Sequence, residues 1–120
     1  MDSILDSVKS HCGLLPEDES FDSDILMAIN AVMVVLTQLG VGPSTPFVVE
    51  DSGQTWSDLL GDDPIGGVRE YVNMRVRLLF DPPQSGQVKQ ALDDQIDEFE
   101  WRILAEVDKK DYAAREVESE

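Results

Sequence analysis

One cysteine, one histidine and nine lysines and arginines are all that 120 residues hold of these types, and each scarcity removes a class of function. Cys12 alone closes no intrachain disulfide, so no secreted disulfide scaffold is indicated. His11 is the single imidazole, so any Ser-His-Asp or Cys-His constellation would have to use it. Neighbours on a helix point about 100° apart, which is poor geometry for a base and its nucleophile. One Cys and one His also fall short of a structural zinc set. The expectation is a buried Cys12 beside a surface His11. Gly66-Gly67 lacks the following Lys-Ser/Thr of a phosphate loop, and no Asp-x-Asp-x-Asp-Gly calcium loop occurs. No catalytic residue, metal site or cofactor is expected, and the chain does not read as an enzyme.

Positive charge is the next shortage. Twenty-five Asp and Glu leave a net charge of −16 and a pI near 4.1, which argues against nonspecific attraction to nucleic acid or anionic lipid. The start, Met1-Asp2-Ser3-Ile4-Leu5-Asp6, has no basic region followed by an apolar run, so a signal peptide is not expected. The longest uncharged stretch runs from Ile25 to Val49, and its helical part should end at Gly40 after about 15 residues, short of the ~20 needed to cross a bilayer. No membrane span is expected, and the chain reads as cytosolic or as a soluble assembly component.

What is present is helical periodicity. Hydrophobic residues make up 42% of the chain and charged residues 28%, enough for one folded domain and no more. Ser3 and Asp6 resemble a capping box, with Ile4, Leu5 and Val8 on one face, and Gly13 suits a left-handed stop followed by Leu14. Asp22 is a candidate N-cap, with Phe21 stapled to Leu26, and Ile25, Ile29, Val32, Leu36 and Leu39 form a stripe. Leu26, Ala28, Met33, Val34 and Val35 fill much of the remaining circumference. A helix apolar nearly all round is buried nearly all round, so this one should be central or partly covered by a neighbouring subunit.

Residues 40–63 form a long connection, with Phe47-Val48-Val49 resembling a short strand and Trp56 anchoring a single helical turn. Connections of this length are often functional, which makes Phe47 and Trp56 candidate contacts. Asp63-Pro64 should open a third helix ending at Phe80 before Asp81-Pro82-Pro83. Its stripe is Val68, Val72, Val76 and Leu79. Arg69, Arg75 and Arg77 are the basic cluster, expected to pair with acids of the same or a neighbouring subunit. Ser85 should cap a fourth helix running to Lys109 or Lys110 with Val88, Leu92, Ile96, Phe99, Ile103 and Val107 inward. Trp101 and Leu104 lie off that stripe and either widen the core face or form an exposed handle. Asp93, Asp94, Asp97, Glu98 and Glu100 should occupy the solvated face. The fold class is therefore all-α, a small four-helix bundle-like domain with a long C-terminal amphipathic helix and a long middle loop. Residues 1–110 form the domain, and 111–120, with Tyr112 and Arg115, a polar flexible tail.

The order of segments adds to this reading. Phe21-Asp22-Ser23-Asp24-Ile25 opens the apolar helix, which closes on Leu36-Thr37-Gln38-Leu39-Gly40-Val41-Gly42-Pro43. Thr55-Trp56-Ser57-Asp58-Leu59-Leu60-Gly61 follows, then Val72-Asn73-Met74-Arg75-Val76-Arg77-Leu78-Leu79-Phe80-Asp81-Pro82-Pro83, and last a helix bearing Phe99-Glu100-Trp101-Arg102. Over roughly residues 3–110 this resembles the head–tail connector (adaptor, or head-completion) proteins of long-tailed bacteriophages. The resemblance implies a virion protein of the head–tail junction, present in the host cytoplasm during assembly. It would bind beneath the portal protein after DNA packaging, as a ring that is usually dodecameric, and extend the channel through which genomic DNA passes without sequence-specific binding. It would also dock the stopper or another tail protein. Candidate partner or subunit contacts are Phe47, Trp56, Arg69, Arg75, Arg77, Trp101, Tyr112 and Arg115. The competing expectation is an acidic DNA mimic, or a small inhibitor of one basic partner.

Overall fold

Ser3 starts the first helix as expected. Its hydroxyl accepts from the Asp6 amide at 3.2 Å, and α1 runs Ile4–His11. The helix stops on Gly13, whose φ of 80° is left-handed, while the Leu14 amide donates back to the Lys9 carbonyl at 2.8 Å. In this computed structural model, which describes residues 3–61 and 66–118 with side chains through Lys110, five helices follow one another. After α1 come α2 (Asp22–Leu39), α3 (Trp56–Leu60), α4 (Val68–Phe80) and α5 (Gly86–Glu118). The class is all-α. Among the described residues the β content is one isolated antiparallel bridge, Ser3 to Thr55.

The start of α2 differs from expectation by one residue. Phe21 is the N-cap and makes no side-chain cap, and Asp22 is the first helical residue. The reason is Lys9, whose ammonium lies 2.7 Å from Asp22 Oδ1 and draws the carboxylate away from its own helix. The Phe21 ring meets Phe80 edge-on, with centroids 5.7 Å apart. At the far end Gly40, φ 90°, closes the helix, and the Val41 amide reaches the Leu36 carbonyl at 2.9 Å. The helix spans 18 residues with a mean hydropathy of 1.4, long and apolar enough by length and composition to cross a bilayer. In the fold its Ile25, Ile29, Val32, Met33 and Leu36 face lies in the core.

Val49 is buried, yet among the described residues no strand pairs with it. The side chain of Asn30 takes that place: its Nδ2 donates to the Val49 carbonyl at 3.0 Å and its Oδ1 accepts from the Val49 amide at 2.8 Å. One amide side chain thus satisfies both backbone groups of a buried residue, as a neighbouring strand would. The expected turn at Trp56 is α3, opened by a complete capping box between Thr55 and Asp58.

The helix expected from Asp63-Pro64 starts later: residues 63 and 64 lie outside the described residues, and left-handed Gly67 is its N-cap, so the first helical residue is Val68. From Gly67, φ 90°, α4 runs to the expected stop, where the Asp81 amide donates to the Arg77 carbonyl at 2.8 Å. Val68, Val72 and Val76 are buried, but Leu79 is 60% exposed. It sits on the last turn, past the reach of the core. Ser85 caps α5 through its hydroxyl to the Val88 amide, and the helix continues past Lys109 and Lys110 to Glu118. No proline or glycine interrupts that segment. At about 1.5 Å per residue α5 measures about 50 Å, nearly the 54 Å longest extent of the molecule. Its overhang accounts for a radius of gyration of 15.4 Å, above the ~14 Å of a spherical domain this size. Leu92, Ile96 and Ile103 are buried, whereas Val88, in the first turn, is half exposed.

Two left-handed glycines seat α5. A Cβ on Gly40 would lie 2.9 Å from Val107 Cγ1, and one on Gly67 would lie 2.8 Å from Phe99 Cδ1. Gly13 is also left-handed but has nothing within 4 Å, so Gly13→Ala isolates the backbone cost of about 1–2 kcal/mol. Gly67→Ala and Gly40→Ala should each cost more than that in urea unfolding, because Phe99 and Val107 must also move. Equal losses at all three positions would mean that α5 gives way without resistance.

Candidate functional site

The candidate arginines do not converge on a site. The Arg69 guanidinium lies 5.5 Å from the centroid of the Trp56 ring, and Arg75 lies 5.6 Å from that of Tyr71. Both therefore sit on aromatic faces, where a cation is held by the ring quadrupole. Arg77 is exposed in the last turn of α4. Trp56 is only 1% exposed and belongs to the core. Phe47 is partly buried and packs against that core. Of the two alternatives for Trp101 and Leu104, the exposed one holds: Trp101 is 69% exposed and Leu104 40%. Helical spacing gave the angle of Trp101 on α5, but among the described residues no other element covers that angle. The side chains of Tyr112 and Arg115 lie outside the described residues.

Little in the interior is reactive. His11 is exposed and Cys12 half-buried. Burial pushes the Cys12 thiol above its ordinary range, Asp81 adds to this, and Arg77 opposes it. A thiol so held carries less thiolate at neutral pH and is a weaker nucleophile. Among the described residues no group of His, Cys, Asp and Glu could hold a metal ion.

Of the acids expected on the solvated face of α5, Glu100 has a different task. Its Oε2 accepts from the Tyr71 hydroxyl at 2.9 Å, joining α4 to α5. Burial, and then this hydrogen bond, push the Tyr71 phenol well above its ordinary value of 10.0; Glu100 and Asp97 add to the rise, and Arg75 opposes it. The folded chain therefore keeps a proton that the unfolded chain releases as pH climbs past 10. Stability is intact below that point and falls above it. In a Tyr112→Phe background, tyrosinate absorbance should be nearly absent at and just above pH 10 and should appear together with unfolding. Ordinary titration near pH 10 in the folded state would show that the bond is not holding the proton.

The surface is richer than the interior. A cleft of about 620 Å³ opens between α2 and the end of α4, lined by Phe21, Asp24, Met27, Ala28, Ala31, Leu79, Phe80 and Asp81. It is continuous, through Ala31 and Leu79, with a smaller apolar hollow of about 270 Å³ reaching Val35, Leu78 and Arg75. Met27 is 73% exposed. A second recess, of about 640 Å³, runs along α5 beside Trp101, with Gly66, Arg102, Ala105, Glu106 and Lys109. Met27, Phe21 and Phe80 were not among the sequence candidates. Their signal was the excess of apolar residues around α2, more than one short chain can cover.

A small helical domain with open apolar clefts and little chemistry has the build of a structural assembly subunit. The model of the phage connector protein family matches residues 4–110, and the chain belongs to that family. No curated protein and no solved structure matches it. Membership is that of a structural family, and it implies a place at the virion head–tail junction with contacts to the portal and to other head or tail proteins.

Proposed function

We propose that the chain is a head–tail adaptor that joins the portal after DNA packaging, assembles there as a ring of subunits, extends the DNA channel, and offers its far side to the stopper or tail. The observation that carries this reading is the pairing of the family match over residues 4–110 with apolar clefts left open on the single chain. A ring needs head-to-tail contacts between different surfaces of the same subunit. Twelve copies, the usual number among the adaptors it resembles, carry on the order of two hundred negative charges. An acidic wall of that kind repels the phosphate backbone and lets DNA slide. A lumen lined mainly by Arg69, Arg75 and Arg77 would contradict it.

Segments 41–61 and 108–120, with Phe47, Tyr112 and Arg115, are proposed contacts to portal or stopper. The DNA-mimic reading has less support: of the clustered acids on α5, Asp93 pairs with Lys89, Glu98 with Arg102 and Glu100 with Tyr71. Electron microscopy of DNA-filled heads, with and without the protein, tests the adaptor directly. Added ring density below the portal is the expected result, and its absence sinks the proposal. Full binding by a chain lacking residues 111–120 would remove the tail from the contact set.

A further inference from the structure

We infer that the Trp101 face of α5 on one copy docks into the α2–α4 cleft of the next copy, so that successive subunits join head to tail. This pairing rests on the adaptor reading above and specifies the contact by which its ring is built. The two surfaces lie toward opposite ends of α4. Gly66, just before α4, borders the Trp101 recess, while Leu79 and Phe80, which end α4, border the cleft. The helix between them is about 20 Å long. Trp101 is a large apolar side chain held 69% in water, the type of residue that dominates the centre of protein interfaces. The cleft offers Met27 and Leu79, also uncovered, at 73% and 60%.

Charge selects the pairing. The cleft is rimmed by two acids, Asp24 and Asp81, and the Trp101 recess by two cations, Arg102 and Lys109, against one acid, Glu106, in a chain with only nine basic residues. Arg102 now pairs with Glu98 and Lys109 with Glu106. Exposed pairs within one helix hold their side chains weakly, so both cations can turn to the acids of a neighbour. Trp101 face against Trp101 face, or cleft against cleft, would oppose like charges. A reciprocal two-fold pair, each face in the other's cleft, would close at the dimer and leave no larger multiples. Head-to-tail docking joins opposite charges at every step, and such a contact closes into a ring when its rotation allows.

The test uses DNA-filled heads and the full chain. In a Cys12→Ser background, Ala105→Cys, beside Trp101 in its recess, and Ala31→Cys in the cleft are combined, and bound protein is treated with a short bismaleimide. The expected result is a ladder of covalent multiples of this chain, with each single-cysteine version stopping at the dimer or below. Trp101→Ala, which removes an exposed side chain and should leave the circular dichroism unchanged, should lower ring occupancy at least tenfold. Ring density without a ladder, cross-links running to the portal or stopper instead, or full occupancy by Trp101→Ala would each overturn the pairing while leaving the adaptor role intact. No added density from the unaltered chain would instead remove the adaptor role, and the pairing with it.

Discussion

Asp22→Ala should cost about 3–5 kcal/mol of stability, a fall in Tm on the order of 15 °C for a domain of this size. The Lys9 side chain is 1% exposed and its ammonium lies 2.7 Å from Asp22 Oδ1. Its other contact is the Pro16 carbonyl, to which it donates at 2.9 Å. Without Asp22, the buried cation keeps one hydrogen-bond acceptor among the described residues, the neutral Pro16 carbonyl. Lys9→Met should be milder, because the methionine keeps the packing of the stem and the stranded Asp22 carboxylate is 27% exposed. Replacing both, as Lys9→Met with Asp22→Leu, should return most of the loss, since a buried ion pair contributes little over well-packed apolar groups. Urea unfolding of the three variants decides the matter. A loss below about 1 kcal/mol for Asp22→Ala would mean that water reaches the ammonium and that the pair is not what holds α1 to α2.

The two tryptophans should behave in opposite ways. Trp56→Ala is expected to destabilise by about 3–5 kcal/mol, the usual range for emptying a buried aromatic site. Its ring lies between the core and the Arg69 guanidinium, so truncation opens a cavity and uncovers the arginine's seat. Trp56→Phe should cost far less than its lost volume alone implies. The Trp56 Nε1 is buried with no hydrogen-bond partner among the described residues, and removing an unsatisfied donor recovers part of the penalty. Trp101→Ala should leave stability within about 0.5 kcal/mol. Chemical unfolding, followed by circular dichroism because both substitutions alter the fluorescence, separates these outcomes. A Trp101→Ala loss comparable with that of Trp56→Ala would place Trp101 in the core after all.

Much of this architecture was legible because helices announce their own ends. Ser3, Gly13, Gly40, Ser85 and the Asp81-Pro82-Pro83 stop act through bonds within a few residues of themselves, and each works in the fold as local chemistry dictates. The connector family was legible from the order of such segments. What local pattern cannot supply is whether a partner covers a given face. Leu79, Val88 and Trp101 lie at the right angles for burial, or close to them, and remain in water because no other element among the described residues covers them. Lys9 shows the reverse. It follows Leu5 by four residues, which puts it on the buried face of α1, but its charge conceals the position until Asp22 is brought alongside. The Asn30 clamp on Val49 joins residues 19 apart in sequence and leaves no local trace. The clefts are legible only as a surplus: α2 carries more apolar surface than the single chain can cover.

Because α5 is nearly as long as the molecule itself, its residue count acts as a ruler. One residue inserted beyond Val107 would push the far end out by about 1.5 Å and turn everything after it by about 100°, presenting a different face to whatever it meets. Seven residues would add about 10 Å and bring that face back to within about 20°. Reach and facing are therefore coupled in this subunit. It can be lengthened in steps of two helical turns, while intermediate steps point its end elsewhere.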